Sequence, residues 1–84
     1  MEKKAIGRIA HYYPKIGVAV VELTGELKVG DRISIEHGGA SFEQNVDSMQ
    51  IEHQQVSAAR AGQAIGMKVA QTAHEGSSVY RLVG

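Results

Sequence analysis

The chain contains no cysteine. That removes disulfide stapling, thiolate catalysis and cysteine-ligated zinc together. Neither charge is in excess, because nine basic side chains balance nine acidic ones. A dedicated nucleic-acid binder carries a basic surplus, so any contact with RNA would have to come from a local basic patch. No block of like charges marks a tail. The longest apolar run, Val18 to Val21, is far too short to cross a bilayer, so no membrane partner is expected. The start, Met1-Glu2-Lys3-Lys4, lacks the apolar stretch of a signal peptide, which favours a cytoplasmic location.

The motifs of catalysis and cofactor binding are missing too. Gly25 and Gly30 have the spacing of a phosphate-binding loop. That loop needs Lys and then Ser or Thr next, and a helix after them. Here Asp31 and Arg32 follow, and a strand pattern replaces the helix. The four histidines, His11, His37, His53 and His74, show no metal-ligand spacing. No serine stands in a Gly-x-Ser-x-Gly elbow. Acid–base work needs burial or a charge partner to shift a pKa, and Glu22 and Glu26 show neither. The expectation is a protein that binds rather than catalyses, with no metal and no cofactor.

What the chain does have is strand pattern with glycine punctuation. Its 84 residues fit one domain, 1–84. A domain of this size buries roughly 60–65% of the surface its unfolded chain exposes. The first strand is read over Ile6–Tyr13, and Pro14 ends it. The second, Ile16–Leu23, is apolar on both faces, which suggests a central strand covered at least partly on both sides. Residues 24–31 read as an ordered loop, with Leu27 and Val29 tucked inward and Gly30 supplying a positive φ. Arg32–His37 alternates as a third strand, and Gly38-Gly39 signals a hairpin.

The fourth strand is read over Phe42–His53. Phe42 and Val46 share one parity and Met49 and Ile51 the other, so both pairs cannot face one core along an unbroken strand. A bulge near Asp47-Ser48 would repair the register. Gln54–Gly62 is polar, with Val56 and Ala59 as anchors and room for one helical turn. Gln63–Ala70 forms the fifth strand, with Ile65, Met67 and Val69 inward. Gln71–Ser78 is a loop, and Val79–Val83 is the last strand. Six short strands at this spacing argue for a small closed barrel.

Tyr12 and Tyr13, flanked by His11 and Lys15, form the one aromatic–basic cluster. Aromatic faces stack on bases, and lysine meets phosphate. The candidate binding surface is therefore Arg8, Tyr12, Tyr13 and Lys15, with His53 added. The competing reading gives the tyrosines to the core and to a neighbouring strand.

A longer pattern joins these pieces. It runs through Ile6-Gly7-Arg8-Ile9, Ile16-Gly17-Val18-Ala19-Val20-Val21, Gly25-Glu26-Leu27-Lys28-Val29-Gly30-Asp31, Val46 to Met49 and Ala59 to Met67. In order and spacing it resembles the second domain of translational GTPases such as elongation factor Tu. The resemblance covers nearly the whole chain and implies an all-β, six-stranded, closed Greek-key barrel. A similar barrel ends the collagenase-like peptidases. The translation-factor resemblance implies contact with tRNA or another RNA, and no GTP binding from these residues alone. The peptidase resemblance implies a protein–protein or interdomain module, with a partner protein or an adjacent domain.

Overall fold

The computed structural model describes residues 2–83, and among them every regular element is a strand. The strands are β1 Glu2–Tyr13, β2 Val18–Leu23, β3 Leu27–Lys28, β4 Arg32–His37, β5 Ala40–Asn45, β6 Met49–Ile51, β7 Gln54–Val56, β8 Ala58–Ala59, β9 Ala64–Lys68 and β10 Ser78–Val83. Eight of them form one sheet in the order β5-β4-β10-β1-β2-β9-β6-β7, and β3 pairs with β8 beside it. All the strand pairings described are antiparallel.

The sheet curls around a single core, which gathers Ile6, Ile9, Val21, Ile33, Ile65 and Met67 with smaller apolar residues. Ile6 and Ile9 are both buried although they stand three residues apart. A plain strand would put them on opposite faces. A register slip between Ala5 and Gly7 against β10, at Ile6 itself, resolves this, and a second slip follows between Ile9 and His11 against β2. Gly7 sits where β2 comes too close for a side chain. A Cβ on it would lie 2.6 Å from the carbonyl oxygen of Glu22.

The ladders do not trace the expected closed, six-stranded barrel as a ring: β5 and β7 end the strand order. The segment expected as one long fourth strand is interrupted. It breaks into β5, which pairs with β4, and β6, which pairs with β9 and β7. The parity conflict is therefore relieved by a break and not by a bulge. Val46 is pinned at the break, where its N–H donates to Asp31 O at 2.8 Å and its carbonyl accepts from Gly30 N–H at 2.8 Å. One side chain bridges the seam that remains. The Gln44 carboxamide donates to Lys68 O (2.9 Å) and accepts from Ala70 N–H (2.7 Å), as a peptide unit of a neighbouring strand would.

Other differences are local. Residues 14–17 form a turn, with Ile16 and Gly17 N–H both donating to Tyr13 O, so the second strand starts at Val18. Leu27 is fully buried as expected, whereas Val29 is 42% exposed, because it lies past the end of β3 in the turn closed by Asp31 N–H donating to Lys28 O. Residues 54–62 hold β7 and β8 in place of a helical turn. Gly30 (φ 98°) and the Gly38-Gly39 hairpin (φ 56° and 88°) adopt the positive φ expected of them.

Candidate functional site

Strand β2 has two unlike faces. Ala19, Val21 and Leu23 are buried in the core, while Val18 and Val20 are only half-buried on the other side. The partners of Val18 and Val20 on β9 are Lys68 and Gly66, and Gln50 of β6 pairs with Gly66 from the far side. A glycine among side-chain-bearing neighbours leaves a hollow. A Cβ added to Gly66 would meet only Val18 Cγ1, at 3.6 Å, which is ordinary contact.

That hollow is the floor of a groove of about 520 Å³. Of the five depressions described on the surface it is the largest. Tyr13 and Ile16 rise on one side of it, 47% and 61% exposed. Glu52 and His53 stand on the other. These two form the two-residue turn between β6 and β7, closing the pair Ile51–Gln54. Both take the left-handed conformation, at φ 51° and 66°. For residues other than glycine that region costs roughly 1–2 kcal/mol each. Asn-Gly is the sequence this turn favours.

The structure divides the five expected site residues. Tyr13 and His53 meet at the groove although 40 positions separate them in sequence. Arg8 lies opposite Glu22 on the outer face and is tied to it, with Nε and Nη2 each 3.0 Å from Oε1. Lys15 is exposed in the turn beside Ile16 and does not line the groove. Tyr12 faces inward and packs against the core, which corrects its place in the binding surface.

His11 stands two positions after Ile9, so an unbroken strand would give both the same face. The register slip after Ile9 turns it outward, opposite Val20. There its Nδ1 lies 2.8 Å from Glu75 Oε2, and its ring meets Tyr13 edge-on at 4.4 Å between centroids. His11 thus buttresses the groove's aromatic wall. Sequence reasoning missed Ile16, Val18, Val20 and Gly66. The signal for them was the second apolar face of the second strand, which was assigned a cover that the structure leaves off.

Elsewhere, His37 and His74 stack at 4.9 Å between centroids, 26° from parallel. Among the described residues, no three histidine, aspartate or glutamate side chains gather as a metal-ligating group. No helix among them is long and apolar enough to cross a membrane, a statement that does not extend to strands. An open hollow with an apolar floor, an aromatic wall and polar groups at its rim is suited to holding another molecule's side chains.

No family model matches the chain. It is similar to an uncharacterized protease of Methanocaldococcus jannaschii, 41% identical over 81 residues. Those residues make up 95% of this chain and 20% of the relative, so the chain spans about a fifth of that protein's length. Among solved structures it is similar to the C-terminal domain of a candidate U32 peptidase from Geobacillus thermoleovorans. The TM-score is 0.88 over 95% of this chain and 93% of that domain, at 20% identity. The selenomethionine variant of the same domain gives 0.86 over 90% and 96%, at 22% identity. These two likenesses carry the fold. They support the peptidase-barrel resemblance, while the translation-factor resemblance gains no support from them.

Proposed function

We propose that the chain is a non-catalytic docking module of the kind appended to collagenase-like peptidases, and that the groove over Gly66 is its docking surface. The observation that carries the proposal is the match of nearly all of this chain to one fifth of a protease, at 41% identity. A module that occupies so small a share of a longer protein leaves the chemistry to the remainder. The groove supplies what such a module needs, which is exposed apolar surface bounded by polar side chains.

The test is a nuclear magnetic resonance titration of the labelled chain with the Methanocaldococcus relative lacking its matching 81 residues. Shifts centred on Tyr13, Ile16, Val18, Val20 and Gly66 support the proposal. Shifts confined to another face, or none, overturn the groove as the docking surface. A parallel titration with tRNA at near-physiological salt is the competing arm. Tight, salt-resistant binding of tRNA alone would replace the protein partner with an RNA one. Cleavage of gelatin by the purified chain would overturn its non-catalytic part.

A further inference from the structure

The groove's lining says which protein chemistry fits it, given the docking role proposed above. Ten residues line it, against the roughly 20–30 that each side of a stable protein interface contributes. It is therefore a receptacle for a few side chains of a partner, and not a face for a second copy of this chain. Its floor is apolar, and the place of the missing Gly66 side chain is open. Among the lining side chains Glu52 is the one carboxylate, and no lysine or arginine lines the groove. The nearby Arg8 is already spent on Glu22. Glu52 makes none of the ion pairs found among the described residues. It is held at the rim by a turn whose backbone disfavours its residue type. A glutamate kept at such a position, over an apolar floor and facing a tyrosine, complements a cation.

We infer that the groove receives a protein segment presenting an apolar side chain next to an arginine or lysine. The apolar side chain enters over Gly66, and the cation pairs with Glu52. The Tyr13 ring offers the same cation an electron-rich face. Specificity lies in Glu52, and affinity lies in the hollow.

The experiment is selection of a phage-displayed random heptapeptide library on the immobilised chain, counter-selected against Gly66→Leu, whose side chain fills the hollow. Ile16→Glu, in an exposed turn, is a second groove variant that does not touch the ladder. Thermal melting checks that both are folded. Enriched peptides are expected to pair an apolar residue with arginine or lysine. They should bind Glu52→Lys about tenfold more weakly, as expected for replacing one charge-assisted contact with a like charge. Selection on Glu52→Lys should turn instead toward aspartate and glutamate. Enriched peptides that lack a basic residue and bind Glu52→Lys unchanged would overturn this inference and leave groove docking standing. Enriched peptides that bind Ile16→Glu as well as the parent chain, or no enrichment once binders of Gly66→Leu are removed, would overturn both.

Discussion

Two hairpins in this molecule turn in the same way with opposite residues. The β4–β5 hairpin turns at Gly38-Gly39, and the β6–β7 hairpin turns at Glu52-His53. Each closes a two-residue loop with positive φ at both positions. Glycine takes that conformation without steric cost. Glutamate and histidine do not, so the second turn stores strain where the first stores none. Their anchors differ as well. The first hairpin buries Ile33 and Ile35 in the core, whereas the second buries Met49 and only half-buries Ile51 and Val56. The relaxed, well-anchored hairpin lies at one edge of the sheet. The strained, lightly anchored one borders the groove. Strain that persists beside a binding surface is the pattern expected where the side chains there are kept for what they contact.

The largest test of this contrast is Met49→Ala. It removes the second hairpin's one fully buried anchor and should cost about 2–4 kcal/mol in urea denaturation. Amide exchange should accelerate first across residues 49–56. Equal acceleration across 32–45 would show that the two hairpins are secured alike. A turn exchange comes next. Placing Glu-His at Gly38-Gly39 should cost about 2 kcal/mol, because two side chains enter the left-handed region. The converse, Glu52→Asn with His53→Gly, should raise stability by about 1 kcal/mol. It should also weaken binding at the groove. A double variant that is no more stable than the parent would show that the β6–β7 turn is unstrained.

The same contrast explains what could be read from the chain. Gly38-Gly39 announced its turn because glycine is the residue that turn demands. Glu52-His53 carried no such signal, so β6 reads as the end of the long fourth strand and β7 as part of a polar segment. The parity conflict between Phe42–Val46 and Met49–Ile51 was visible. Its remedy depended on hydrogen bonds from Gly30 and to Asp31, which are remote in sequence. Tyr13 stood out as an aromatic beside basic residues, but Tyr12 looked equivalent to it. Only the register slip at Ile9–His11 decides which neighbours face outward. The groove itself was half legible. The doubly apolar second strand showed that a second face existed, but periodicity does not show whether anything covers it.

The smallest expected effect concerns how the first hairpin is tied down. Lys3 Nζ lies 2.7 Å from Glu36 Oε2, linking β1 to β4, while none of the ion pairs found among the described residues involves 49–56. The hydrogen bond from Lys3 holds the Glu36 carboxyl below the ordinary glutamate value, helped by the Ser34 hydroxyl and opposed by partial desolvation. The same bond raises Lys3 above its ordinary value. A depressed carboxyl contributes stability above its unfolded pKa and loses it as pH falls through the folded one. A raised ammonium contributes below its unfolded pKa and loses it as pH rises through the folded one. The parent chain should therefore be slightly more stable than Glu36→Gln near neutral pH. That margin should fade on acidification below the glutamate range, and Lys3→Ala should lose its own deficit in strong alkali. Both groups are solvent-accessible, so high salt should shrink the margin as well. A Glu36→Gln deficit that persisted unchanged in acid and in high salt would mean that Glu36 acts by packing and not by charge. The ion pair would then no longer distinguish the two hairpins.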